Sequence, residues 1–239
     1  MEKITNQYVI TRTPGKILIC GGYLVISPLY RGLIFNSETY FKCEGKFLKL
    51  EKPSKKDGNL IIYVFSKNFN QGFKYELVIK HDFKLSQTEI YLDQIEGNEN
   101  RFVESSIINS FYFFFLKNYN DIDKIITKFF NLAKENYLIF NLEADYRFYT
   151  YNKTYFDGEK TNKDEEKKIN VKTGLGSSSG LICSLNTNIL ILLYQCFTEN
   201  KERFKEISTL KQLSLEDQAN ILLSSYFSNN QAQKKVDAN

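Results

Sequence analysis

The sequence predicts an α+β fold, in which a mixed β-sheet is packed with helices. Two observations carry that reading. Strand-like runs fill the chain as far as Ile79, and from Asn100 the apolar period lengthens to that of helices, with one return to strand character at Tyr137–Ala144.

The strand candidates, in order, are Tyr8–Thr11, Ile17–Cys20, Leu33–Phe35, Thr39–Cys43, Leu60–Phe65 and Phe73–Ile79, separated by turns rich in Gly, Pro, Asn and Lys. Their spacing suits an antiparallel or mixed sheet. The helix opening at Asn100 gathers Phe102, Val103, Ile107, Phe111, Phe114 and Phe115 on one broad face. A second helix starts from Asp121 as N-cap and aligns Ile122, Ile125, Ile126, Phe129 and Ala133. Both stripes read as core, not as a cofactor box. Past the strand at Tyr137–Ala144, a loop at about residues 155–170 holds the charge-rich segment Asp157–Lys168, which has no apolar anchor and reads as a mobile surface loop. Gly180–Phe197 then reads as a buried helix. Leu215–Tyr226 reads as another, with Ser214 capping and Asp217 placed as in a capping box.

Composition narrows the function classes. With 42% hydrophobic, 15% aromatic and 25% charged residues in 239, the chain is neither disordered nor fibrous. Lys and Arg number 32 against 28 Asp and Glu, and the net charge of +4 is spread along the chain, so no nucleic-acid partner is expected. The single histidine, His81, stands in a polar Lys-His-Asp stretch and reads as a surface residue. One histidine so placed argues against a Ser-His-Asp hydrolase and excludes a His-rich metal site. Cys20, Cys43, Cys183 and Cys196 form no Cys-x-x-Cys pair and read as reduced core residues, which suggests a cytoplasmic protein. No secretory signal opens the sequence. The longest apolar runs, Ile107–Leu116 and Ile189–Tyr194, fall short of the ~20 residues of a membrane span, so no membrane partner is expected.

Chemistry concentrates at Lys172-Thr173-Gly174-Leu175-Gly176-Ser177-Ser178-Ser179-Gly180, where small residues lead into an apolar helix. Glycines permit positive φ and close approach of an anion. The helix start adds about half a positive charge, and serine hydroxyls can contact phosphate oxygens or a magnesium ion. A Walker loop would end in Gly-Lys-Ser/Thr, but here the lysine precedes the glycines. A dinucleotide loop would be Gly-x-Gly-x-x-Gly after a buried strand, but here one extra residue intervenes after a polar stretch. A serine-rich N-cap without a ligand is the bland alternative. Near the N-terminus, Thr13-Pro14-Gly15-Lys16 precedes the apolar run Ile17–Cys20, and Lys16 taken singly reads as a solvated strand-edge residue.

Taken together, Pro14-Gly15-Lys16 with its apolar strand and Gly174-Leu175-Gly176-Ser177-Ser178 entering a helix resemble the GHMP kinase superfamily. Within it, Gly21-Gly22-Tyr23-Leu24-Val25, then Tyr30-Arg31-Gly32-Leu33, look like the eukaryotic phosphomevalonate kinases; other members usually carry an acidic residue at the place of Gly22. Asn100-Arg101-Phe102-Val103-Glu104 is similar to that family's Asn-Pro-Phe-Val-Glu, and Ala144-Asp145-Tyr146-Arg147-Phe148-Tyr149 to its Asp-Asn-Asp-Phe-Tyr-Ser. The resemblance implies transfer of the ATP γ-phosphate to 5-phosphomevalonate, giving 5-diphosphomevalonate, in a cytoplasmic enzyme of the mevalonate route to isoprenoids. By position, Lys16 would be the catalytic cation. Lys172, Gly174, Leu175, Gly176, Ser177, Ser178, Ser179 and Gly180 would hold ATP, and Ser178, with Ser177 as the alternative, would help bind Mg2+.

One segment departs from the family. Where it reads Ala-Gln-Gly-Lys-Val-Gly-Ser-Gly-Phe-Asp and continues into a further domain, this sequence reads Ala232-Gln233-Lys234-Lys235-Val236-Asp237-Ala238-Asn239. Lys234, Asp237 and Asn239 take the places of the glycines, and the family's catalytic aspartate has no counterpart. The expected organisation is an ATP-binding N-terminal domain over residues 1–228, a truncated and frayed tail over 229–239, and a missing C-terminal domain, which leaves open a catalytically inactive nucleotide-binding protein. Mevalonate kinase, or another small-molecule kinase of the superfamily, is the second alternative.

Overall fold

The computed structural model describes residues 8–21, 27, 29–54, 59–85, 87–152, 169–172, 176–197 and 215–237. They form an α+β fold. Six strands, β1 (Tyr8–Cys20), β2 (Leu33–Lys49), β3 (Asn59–Ser66), β4 (Gln71–Asp82), β5 (Gln87–Glu96) and β6 (Asn136–Ala144), make one mixed sheet in the order β1-β2-β6-β3-β4-β5. Only the β3–β6 pair is parallel. A separate ribbon, β7 (Tyr149–Asn152) with β8 (Ile169–Lys172), is antiparallel. The charge-rich segment Asp157–Lys168 lies outside the described residues.

Alternation decides which face is buried. Along β6 every second residue, including Leu138, Phe140, Leu142 and Ala144, is buried, and β2 and β3 do the same with Phe41, Cys43, Phe47, Leu60, Ile62 and Val64. Three helices lie on that face, α1 (Arg101–Lys117), α2 (Ile122–Glu135) and α3 (Ser177–Phe197), and a fourth, α4 (Leu215–Asp237), packs on α1 and α3. α3 packs on β1 and β2, α2 on β3 and β6, and α1 lies against α3 and α4. From Val103 to Phe115 the stripe of α1 is core as its period predicted, whereas Phe102 is half-buried and lines a cavity beside Ser177 and Ser178. Phe114 meets Tyr194 and Phe197 with ring centroids 5.3 and 5.9 Å away, and Phe111 meets Phe129 at 5.9 Å. α3 is 21 residues long and apolar enough to cross a membrane, and 83% of its most apolar stretch is buried inside the fold.

Several boundaries differ from expectation, each for a local reason. Tyr8–Thr11 and Ile17–Cys20 are one strand: Pro14-Gly15 makes no turn but sits at a register shift between Pro14 and Lys16. β5 escaped prediction because its apolar residues are few and half exposed. Asp121 occupies the N-cap of α2 but its side chain accepts no capping hydrogen bond, whereas Asn100 caps α1 by accepting from Val103 N at 3.3 Å. Ser214 lies outside the described residues, and Asp217, buried, pairs with Lys117 of α1 and so ties α4 to α1. The stretch from Asn229, expected as a frayed tail, continues α4 to Asp237, and Ala232 is fully buried. Of the cysteines, Cys43 and Cys196 are buried, Cys183 is half-buried and Cys20 is exposed; all are free thiols.

His81 is not a surface residue. Its ring is wholly covered, with Nδ1 at 2.8 Å from Thr88 Oγ1, Nε2 at 2.7 Å from Asp123 Oδ1, and the Phe83 ring edge-on at 4.6 Å. The adjacent Lys80 and Asp82 that suggested exposure are not its partners; Thr88 and Asp123, distant in sequence, are. The imidazole therefore links the β4–β5 hairpin to α2, and His81→Ala should lower the unfolding free energy by about 1–2 kcal/mol in urea titrations, since two polar partners lose their bond.

Candidate functional site

The site is built where β1 and the start of α3 meet. Gly15 is needed there for closeness: a Cβ on it would stand 2.5 Å from both Ser37 Oγ and Thr39 Oγ1 and 3.1 Å from the Phe148 ring. The register shift lies beside it, and the alternation that buries Val9, Thr11 and Gly15 leaves the next side chain, Lys16, on the exposed side of the strand. That side chain lies along Gly176. A Cβ on Gly176 would meet Lys16 Cγ and Cε at 3.1 Å and Ser179 Oγ at 3.0 Å. Gly176 has φ +76°, a conformation that costs other residues about 1–2 kcal/mol, which accounts for a glycine at this place. The two motifs, 160 positions apart in sequence, thus share one place in the fold. Among the described residues no carboxylate pairs with Lys16.

Two further ties fix this arrangement. Thr11 Oγ1 donates to the carbonyl of Ser184 at 2.7 Å, and Asn188 Nδ2 donates to the carbonyls of Val9 and Cys43 at 3.0 and 2.9 Å, so α3 is held to the strand that carries Lys16. Burial pushes the Cys183 thiol up, while a hydrogen bond with Ser225 and, less strongly, the charge of Lys16 act on it in the opposite direction.

The serines lie in the first turn of α3, not in a loop, because the helix begins three residues before the expected Gly180. Ser177 is buried and hydrogen-bonded to Tyr149, whose phenol is pushed up by burial and pulled down by that bond. Ser179 Oγ donates to the carbonyl of Gly176 at 2.9 Å. Ser178 makes no hydrogen bond among the described residues and lines a cavity of 140 Å3 with Ser177, Phe41, Phe69, Phe102 and Tyr149. Gly180 serves packing: its N–H donates to the carbonyl of Gly176 at 2.9 Å, and a Cβ on it would press on Phe41 Cβ at 3.1 Å. Gly174 and Leu175 lie outside the described residues, as do Gly22–Val25, and Lys172 is placed by its backbone on β8, opposite Tyr149 of β7.

Tyr149 is the residue that sequence reading missed. It joins the β7–β8 ribbon to Ser177, and no local signal announces a contact across 28 positions that include the charge-rich segment. Around it, Asn68 clasps the end of β6, donating to the carbonyl of Ala144 at 2.7 Å and accepting from its N–H at 2.6 Å. Asp145, beside a bidentate Arg147, is held below the usual carboxylate range by that guanidinium. A broader groove of 1040 Å3 lies on the other sheet face, between Tyr63, Phe65, Tyr137, Ile139 and Lys74, and contains none of these residues.

Chemically, the arrangement offers a cation without a carboxylate partner and a hydroxyl without a hydrogen bond among the described residues, and a helix N-terminus approached through glycine, which are means of holding a multiply charged anion. Among the described residues no three His, Cys, Asp or Glu side chains gather as a metal site. Set against known proteins, the chain matches no family model and no curated protein.

Proposed function

We propose that this chain binds ATP at the start of α3 and belongs to the phosphotransferases of the GHMP kinase kind. The activity its motifs fit best is that of a phosphomevalonate kinase, with 5-phosphomevalonate as acceptor. The observation that carries the reading is the Lys16 side chain lying along Gly176.

Phosphoryl transfer asks a protein chiefly for placement and charge neutralisation. When acceptor and donor are both phosphates, two like charges ~4 Å apart repel by about 4 kcal/mol at an effective dielectric near 20, before multiple charges are counted. Lys16 offsets that repulsion at the phosphate being transferred. Lys172 and the segment from Gly174 through Leu175, Gly176 and Ser177 hold the triphosphate with backbone amides and charge, while Ser179 and Gly180 shape the first turn behind them. Mg2+ would be held mainly by the phosphates, with the Ser178 hydroxyl as a protein oxygen, and would supply further neutralisation of charge.

Calorimetry with Mg-ATP tests the site. Saturable binding is expected, and its absence removes the reading. A coupled assay then compares 5-phosphomevalonate with mevalonate as acceptor, and preferential turnover of mevalonate would reassign the substrate. One observation favours a second reading, nucleotide binding without turnover: α4 runs unbroken through Lys234 to Asp237, where the family's glycine run stands. Binding with no turnover of either acceptor would select it.

Gly176→Val separates a phosphate-holding glycine from a merely structural one. A β-branched side chain at φ +76° is strained, and its Cβ displaces Lys16. We expect Mg-ATP affinity to fall at least tenfold, with a stability loss of about 1–2 kcal/mol. Unchanged affinity would argue that no nucleotide sits there.

A further inference from the structure

The outer surface of α4 points to a role that the nucleotide site does not use. Apart from Ile221 and Ala232, this helix turns polar groups inward and apolar ones outward. Its inner face is mostly polar: Asn186 Nδ2 of α3 donates to Ser224 Oγ and Ser228 Oγ at 2.9 and 3.0 Å, Ser228 Oγ donates to the carbonyl of Ser105 at 3.1 Å, and Asn109 Nδ2 donates to Gln231 Oε1 at 3.0 Å. Ser224 and Ser228 are fully buried. Its outer face carries Leu222, Leu223, Tyr226 and Phe227, and with Tyr112 and Leu116 of α1 these six side chains are 46–62% exposed. Leu215, one face-repeat earlier, is 84% exposed.

These residues form one continuous patch. Ring centroids run from Tyr112 to Phe113 at 6.0 Å, from Phe113 to Phe227 at 5.7 Å and from Phe227 to Tyr226 at 5.7 Å, so the aromatic groups bridge both helices. Contiguous apolar patches of this size on a soluble surface mark interaction sites.

We propose that this patch is a self-association surface, on which a second copy of the chain packs across a two-fold axis near the middle of α4. Area supports a copy as the occupant. Side chains of this kind, about half exposed, leave roughly 700–800 Å2 open in total, close to the ~800 Å2 that each partner contributes to a standard interface. An axis near Ser225 sets Leu222 and Leu223 against Tyr226 and Phe227 of the copy, as an isologous contact requires. Aromatic residues at the centre of such a contact carry most of its energy.

Sedimentation velocity of the chain at tens of micromolar should give the mass of a dimer. Leu223→Asp and Tyr226→Asp, both at exposed positions, should each weaken association about a hundredfold and leave a monomer with unchanged circular dichroism. Ile19→Asp, at the exposed end of β1, should leave the dimer intact. A monomeric parent chain overturns the proposal, as does a dimer that survives Leu223→Asp or one that Ile19→Asp dissolves. Sedimentation of the parent chain with phosphatidylcholine–phosphatidylserine vesicles, abolished by Tyr226→Asp, would also overturn it by making lipid the occupant. None of these outcomes depends on nucleotide binding.

Discussion

Lys16→Met is expected to slow phosphoryl transfer about a thousandfold, the cost of removing a preorganised charge from a transferred phosphate. Methionine keeps most of the aliphatic stem that lies against Gly176 and removes the ammonium, so the glycine's close packing survives. Mg-ADP binding should therefore change little, while the preference for Mg-ATP over Mg-ADP shrinks. That second readout holds even if the chain binds nucleotide without turning it over. Steady-state rates with 5-phosphomevalonate and paired titrations with the two nucleotides make the measurement, and a variant with parental rate and parental discrimination would remove Lys16 from the chemistry.

The largest stability effect is expected at the contact between α3 and the β1–β2 hairpin. Asn188 is fully buried, and its Nδ2 reaches the carbonyls of Val9 and Cys43 as well as Thr11 Oγ1, the last at 3.3 Å. Asn188→Ala removes the donor and opens a cavity, and should cost about 2–4 kcal/mol. Gly45→Ala attacks the same contact from the strand side, because its Cβ would collide with Asn188 Oδ1 and stand 2.7 Å from the Phe140 ring. Both changes loosen the tie between the strand of Lys16 and the helix of Gly176, so Mg-ATP binding should weaken along with stability. Urea denaturation and calorimetry on the two variants check this, and a loss below about 0.5 kcal/mol would refute it.

How far the sequence discloses this arrangement varies with the range of the interaction. The helical faces of Phe111, Phe114, Ile125 and Phe129 were legible because burial on one side imposes a period on neighbouring residues. The joining of Lys16 to Gly176 was foreshadowed only by resemblance to a family with both motifs, since no periodicity connects distant segments. The bulge at Pro14-Gly15 read as a turn because the same residues serve both, and the choice depends on Ser37, Thr39 and Phe148 crowding Gly15. His81 was misplaced for a related reason: the adjacent Lys80 and Asp82 signalled water, whereas the groups that cover and bond the ring, Thr88 and Asp123, are brought to it only by the fold. The continuation of α4 past Tyr226 was hidden by its polar inner face, which lacks the apolar stripe that announces a packed helix.

The position of β6 has a kinetic consequence. It stands between β2 and β3, so the hairpin of β1 and β2 and the meander of β3, β4 and β5 are joined edge to edge only through a strand synthesised after both, and after α1 and α2. During translation each part must wait with an open rim until Ala144 leaves the ribosome. Closure of the sheet is then a late, long-range event, which makes for slow maturation and a window in which chaperones or neighbouring nascent chains can seize the unpaired edges.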